Sequence, residues 1–247
     1  MKTNLKMGNI RGSIFVPRVA YTPENLDKMR DAFKDYMPTA LPQVAMPDFL
    51  PGYLAMNKNA WRMVSPDQKE TISFYDDKID IIVNAEAIPY TEEEIKKWGK
   101  HFYDSFKKII DAFQFSSIRL ALAPTLYLPF TAGSPFTIND FTSRIFAFNQ
   151  FQGSGVDNCD FSQVFRVKKQ LNSKDYLVNL LSRFSTEQYQ EQKGNTIHTG
   201  IRLIVNVDIN TFMNPQYVFT ENEMHDFYDL SPNWCEELMC SYFPKSE

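Results

Sequence analysis

The sequence predicts an α+β protein of antiparallel sheets packed with long amphipathic helices, arranged as two duplicated helix–meander–helix halves over residues 1–130 and 131–247. Three observations predict it. The stretch WRMVSPDQKETISFYDDKIDIIVN (Trp61–Asn84) alternates apolar and polar residues about tight turns, as half-buried antiparallel strands do. The run from Tyr90 to Phe113 repeats apolar residues every three or four positions behind a helix-capping signal. IVNAEA at Ile82–Ala87 echoes IVNVDI at Ile204–Ile209, and each leads into a capped helix, YTEEEI and FTENEM. One continuous irregular α+β domain is the competing reading.

Taken in order, SIFVP (Ser13–Pro17) reads as a first short strand. Thr22 caps a helix with Pro23 at its first position, where a missing N–H costs nothing, and Leu26, Met29, Phe33 and Tyr36 share one face. Pro38 ends that helix, and Pro38, Pro42, Pro47 and Pro51 predict an irregular connection over 38–58. A meander follows: Trp61–Val64, a turn at SPDQK, then runs around Ile72–Phe74 and Ile79–Val83 joined at Asp76-Asp77. Aspartate suits that turn because its carboxylate bonds nearby backbone N–H groups.

Thr91 and Glu94 have the spacing of a capping box. Behind them Ile95, Trp98, Phe102, Phe106, Ile109 and Phe113 form an apolar stripe, with lysines on the other faces. Phe102, Phe106, Ile109 and Phe113 are expected inside, against a sheet that contains Ile81, Val83 and Ile201. A strand over Ile118–Leu128, a short helix over Ile138–Phe148, and strands near Phe161–Lys169, Tyr176–Phe184 and Gly200–Ile209 come next. Two helices close the chain, one after Thr220 and one after Ser231-Pro232. In duplicated halves, Asn84 and Asn206 occupy equivalent strand positions.

Composition bounds the class. With 43% hydrophobic and 23% charged residues the 247-residue chain buries a substantial core, and 21 Phe and 12 Tyr supply much of it. Only 9 Gly argues against Gly-rich phosphate cradles. The net charge of -4 offers no global pull on nucleic acid, although a local basic patch is compatible with it. No apolar run approaches the roughly 18–20 residues that span a bilayer, and MKTNLKMGNIRGS lacks the apolar core of a signal peptide. Cys159, Cys235 and Cys240 form no paired framework and no CxxC, which reads as reduced thiols in a cytoplasm.

Candidate chemistry is weak at every position that invites it. A metal nuclease needs clustered carboxylates and a lysine, which Asp80, Glu86, Glu94 and Lys96 superficially supply. Glu94 and Lys96, however, sit about 200° apart around a helix axis. Asp80 alternates with Ile79 and Ile81 and is expected to face solvent, so Asp76, Asp77 and Asp80 read as structural. His101, His198 and His225 are scattered, with His198 in an exposed loop. Ser154 in QGSGVD is not in a nucleophile elbow. Cys235 and Cys240 read as packing residues. Arg144, Arg183 and Arg202 present an anion-binding face in one reading and solvated sheet exteriors in the preferred one. No catalytic, cofactor or metal residue is assigned, and no cofactor is expected.

The Trp61–Asn84 stretch, YTEEEIKKWGKHFYDSFKKII, SIRLALAPTLYLPF, IRLIVNVDIN and VFTENEMHDFYDLSPNWCEELMCSYF together resemble a sporadically distributed bacterial family of unknown function, often encoded beside mobile or defence genes. The resemblance covers most of the chain and carries no catalytic residue with it. It implies a defence or toxin-neutralising setting. The expectation is therefore a cytoplasmic, non-catalytic protein-interaction or regulatory component with a protein partner and no membrane. The alternative is a nucleic-acid-binding or metal-dependent nuclease accessory protein.

Overall fold

The structure, a computed structural model, describes residues 5–34, 41–44, 61–130, 141–142, 160–193, 196–214 and 216–243. Its strands are β1 Lys6–Phe15, β2 Leu41–Val44, β3 Trp61–Val64, β4 Glu70–Phe74, β5 Lys78–Pro89, β6 Arg119–Phe130, β7 Asp160–Leu171, β8 Lys174–Lys193 and β9 Thr196–Thr211. The helices are α1 Pro23–Phe33, α2 Glu92–Phe113 and α3 Glu221–Tyr242. All nine strands join one sheet in the order β2-β3-β4-β5-β1-β6-β9-β8-β7, every pair antiparallel. The α+β class with an antiparallel sheet is what the alternating runs predict.

Two helix–meander–helix halves do not describe this sheet. Such a half closes on its own meander, whereas here β1 and β6 pair with each other at the centre. The runs β3-β4-β5 and β9-β8-β7 hang on either side of that pair, and β2 extends only one of them. The first strand also begins earlier than SIFVP suggests. Its opening, KMGNIRG, has few β-branched apolar residues, and pairing with both β5 and β6 makes it a strand. The echoed asparagines lie on the strands that flank the central pair, Asn84 opposite Asn9 and Asn206 opposite Thr125.

Other differences are local. Within the irregular connection expected over 38–58, residues 41–44 pair with β3 as an edge strand, a place where Pro42 is tolerated because no inner ladder needs its N–H. Most of that connection, Tyr36 and the helix expected over Ile138–Phe148 lie outside the described residues, save that Phe141 and Thr142 are helical. β7 and β8 meet at Asn172-Ser173, both at positive φ (45° and 66°), the two-residue turn that matches strand twist. The capping box is complete at α3, where Thr220 and Glu223 bond reciprocally, but at α2 only the Thr91 hydroxyl is engaged, accepting from the Glu94 N–H at 3.1 Å.

The described helices cover one face of the sheet. Phe102, Phe106 and Ile109 of α2 are fully buried, as the stripe predicts, while Phe113 is half-buried and stacks on Phe115. Phe102 lies over Gly12 of β1, where an added Cβ would come within 2.6 Å of the ring. The two expected C-terminal helices are one, with Pro232 inside it. Pro232 has no N–H to give the Tyr228 carbonyl, and that oxygen instead faces α2 at Gly99, where a Cβ would sit 2.3 Å from it. The helix continues through the proline with α2 packed against the carbonyl that it leaves free.

Two predictions follow from this helix layer. Alanine at position 99 would gain about 1 kcal/mol of helix propensity in isolation. Against the Tyr228 carbonyl it should instead destabilise the protein by about 1–3 kcal/mol, read from urea unfolding, and a more stable Gly99→Ala variant would refute the close crossing.

The second concerns Glu223, fully buried at the start of α3. Burial alone would raise its carboxyl, but the Lys174 ammonium (2.8 Å), the Thr220 N–H and the Tyr176 hydroxyl (2.7 Å) outweigh that and hold its pKa at about 2. With the folded value below the ordinary 4.5, its stabilisation is complete above about pH 4.5 and fades as pH falls toward 2. Unfolding free energies at pH 6 and pH 3 should show an acid-induced loss smaller by on the order of 1–2 kcal/mol in Glu223→Gln than in the parent protein.

A candidate binding face on the open side of the sheet

Strand alternation that turns Ile10, Ile14, Ile79 and Ile81 toward the helices turns the residues between them to the opposite face. Among the described residues no helix packs there. The register brings Arg62, Ser73, Asp80, Ser13, Ala121 and Asn210 into one row across six strands, and Asn179 and Arg166 continue it to β7. Arg119 Nη2 donates to Asn210 Oδ1 (2.8 Å), Asn179 Nδ2 to the same oxygen (3.0 Å), and Arg166 Nε to Asn179 Oδ1 (3.2 Å). Two arginines thus bracket two amides with no carboxylate in the chain of bonds.

Along the border of that row, cations stack on rings. Lys78 lies over Tyr75 (4.7 Å), Arg119 over Phe15 (4.8 Å) and Arg166 over Phe212 (4.4 Å). Lys78 is paired with Phe15 and Phe15 with Arg119 in the strand register, and Phe212 extends β9 by donating its N–H to the Leu177 carbonyl. The result is a lane of alternating aromatic and cationic side chains from β4 to β7, with Arg166 exposed and the others half-buried. Arg202, at the far end of β9, lies over Tyr127 (4.3 Å) and pairs with Glu187.

Asp80 corrects the solvent-facing expectation. It does point away from the helices, yet it is only 2% exposed. Its Oδ2 binds Lys78 Nζ at 2.7 Å while Oδ1 has no hydrogen-bond partner among the described residues. Arg11 Nε and Asp208 Oδ1, also on this face, are likewise buried and without such a partner. Burial, then the Asp80 carboxylate, raises the pKa of the Tyr75 phenol, while Arg11 and Arg62 pull it the other way. The alternation shows which way Asp80 points, but not that this side of the sheet buries it.

The remaining acids do not converge. Asp76 and Asp77 sit in the β4–β5 turn, Asp76 against Arg18 at 3.3 Å and the Asp77 carbonyl accepting from the Val16 N–H. Glu86 and Glu94 line one cleft of about 580 Å3 beside Trp98, where Glu86 pairs with Lys69 (3.0 Å) and Glu94 lies 3.9 Å from Lys97. Asp80 is on the opposite face, and Lys96 bonds Glu92 instead. Among the described residues no group of three or more His, Cys, Asp or Glu is placed to hold a metal ion.

His101 binds the buried Glu70 carboxylate at 3.0 Å in the floor of that cleft, and His225 packs edge-on to Tyr103. His198 belongs to β9, paired with Glu191, and not to a loop, because β8 and β9 run on past the expected ends. Cys235 is buried and Cys240 half-buried on α3. Arg183 and Arg202 do share the open face, Arg183 held by Asp160 in a two-point bond (3.0 and 3.2 Å). Arg144, Ser154 and Cys159 lie outside the described residues. Sequence reasoning missed Phe15, Tyr75, Lys78, Arg119, Arg166 and Phe212 as a set. Strand alternation marks their side, but only cross-strand register makes them neighbours.

No protein-family model matches the chain, and no curated protein resembles it closely enough to count as a relative. None of the described helices is long and apolar enough to cross a membrane.

The Lys78–Asp80 pair generates a stability prediction. Asp80→Ala leaves a partly buried ammonium without its carboxylate and should cost about 1–3 kcal/mol in urea unfolding. Lys78→Met combined with Asp80→Leu should recover most of that loss, since two apolar groups need no partner. A double variant no better than Asp80→Ala would show that the pair matters through something other than mutual neutralisation.

Proposed function

We propose that this protein is a non-catalytic interaction or regulatory component whose working surface is the open face of the nine-stranded sheet. One observation carries the reading. Among the described residues, a large sheet packed by helices on one side carries on the other an array of arginines, amides and rings, in which Ser13, Ser73, Asp80, Ala121 and Asn210 are buried, rather than an apolar surface. A surface of this extent suits a macromolecule better than a small metabolite, which is held in a concave apolar cavity. The resemblance to a bacterial family found beside mobile or defence genes supports a cytoplasmic defence or toxin-neutralising setting.

The second reading, nucleic-acid binding, has its own support in the lane of stacked cations. Large exposed apolar side chains among the described residues are single and dispersed (Tyr21, Met213, Val218) or confined to the edge strand β7 (Val164, Phe165). The basic lane is contiguous. That contrast favours an anionic partner over an apolar one.

The test is co-purification from native cells, scored for protein and for nucleic acid. Charge reversal on the two wings of the open face, Arg62→Glu with Arg183→Glu, should reduce the bound partner about tenfold or more. Lys100→Glu on the exposed side of α2 should leave it unchanged. Equal recovery with all three proteins would overturn the open face as the working surface.

A further inference from the structure

We infer that the border lane of the open face is a track for single-stranded nucleic acid, an inference that rests on the open face being the working surface. Arg119 and Arg166 are placed to take phosphates, and Tyr75, Phe15 and Phe212 to take bases. The chain's net charge of -4 hides a separation: α3 carries Glu221, Glu223, Asp226, Asp229, Glu236 and Glu237 with no lysine or arginine. That acidic helix packs on the far side of the sheet. In the lane only Asp80 is acidic, and it is consumed by Lys78 at 2.7 Å. Arg119, half-buried, and Arg166, exposed, are bonded to neutral groups rather than to carboxylates. A polyanion is therefore drawn to this border of the sheet and repelled from α3.

Charge alone suits any acidic chain; the rings make the choice. Single-stranded nucleic acid offers flat bases at intervals along a negative backbone, and proteins that hold it pair a cationic groove with aromatic or guanidinium planes on which bases stack. The lane alternates those two chemistries strand by strand. At roughly 4.8 Å per strand, the five steps from β5 to β7 give a track of about 24 Å, room for a handful of nucleotides. A duplex hides its base faces and gains nothing from the rings. An acidic peptide uses the cations and leaves the rings idle.

The experiment is fluorescence anisotropy on the full chain with labelled oligo-dT and oligo-U of about 12 nucleotides, matched duplex, and polyglutamate as a purely anionic competitor. If two cations meet phosphates, the logarithm of the binding constant should fall with the logarithm of salt with a slope of about -1.4. Arg166→Gln, an exposed substitution, should flatten that slope by about 0.7, and Arg166→Lys should restore it. Phe15→Leu should weaken oligonucleotide binding roughly tenfold at unchanged slope, while leaving any polyglutamate binding alone.

Absence of oligonucleotide binding at low salt overturns the inference. So does duplex binding as tight as single-strand binding, or tight binding indifferent to Phe15→Leu and matched by polyglutamate, which transfers the lane to an acidic protein partner. Loss of a protein partner on reversal of Arg62 and Arg183 without oligonucleotide binding would keep the open face and dismiss only its proposed occupant. Circular dichroism melts of each variant, unchanged from the parent, tie the affinity losses to the lane.

Discussion

Tyr228 is the residue on which the helix layer is registered against the sheet. Its side chain is fully buried, and its hydroxyl donates to the Ser13 carbonyl of β1 at 2.8 Å and lies 3.4 Å from the Ala121 carbonyl of β6. It thus reaches both members of the central strand pair. Its ring lies 5.6 Å from Phe106 and 6.4 Å from Phe102, and its own carbonyl abuts Gly99. One residue of α3 therefore fixes α2, β1 and β6 together. Burial drives its phenol pKa well above the ordinary range, so it donates at any accessible pH. Glu223 and Tyr242 tie the two ends of α3 to β8 through Tyr176 and Ser182, and Tyr228 adds the polar contact to the central strand pair.

Charge is sorted by layer. The helix side keeps its carboxylates, and the few that are buried there are fully engaged: Glu223 by Lys174, Tyr176 and Thr220, and Glu70 by His101. The sheet side holds Arg11, Arg62, Arg119, Arg166, Arg183 and Arg202 alongside Asp80, Asp160, Glu187 and Asp208, so the excess of cations lies along its border. Such sorting explains how a chain of net charge -4 presents a cationic lane, and why whole-chain charge is a poor guide to the partner of one surface. The buried, unpartnered atoms of Arg11, Asp80 and Asp208 lie on the same side.

The sheet also manages its ends. β2, at one edge, is four residues long and contains Pro42; β7, at the other, carries Arg166, Lys168 and Lys169. Short strands, proline and cations are the usual guards against pairing with another chain through unpaired N–H and C=O groups. Face-on binding at the open side is thus compatible with edges that resist extension.

The sequence by itself determined the local pieces. The Thr22 and Thr91 caps, the α2 stripe, the Asp76-Asp77 turn and the alternation of β4, β5 and β9 were legible because each depends on residues within one helical turn or one hairpin. Tertiary structure decided the rest. KMGNIRG becomes a strand because β5 and β6 flank it, and Pro232 stays in a helix with α2 packed against the carbonyl that proline leaves free. Asp80 is buried although strand alternation turns it away from the described helices. The lane was illegible for the same reason. Phe15, Lys78, Arg119, Phe212 and Arg166 come from five strands or strand ends, up to about 200 residues apart in sequence. Local pattern tells which way a side chain points, but only the order and register of nine strands tell what stands beside it.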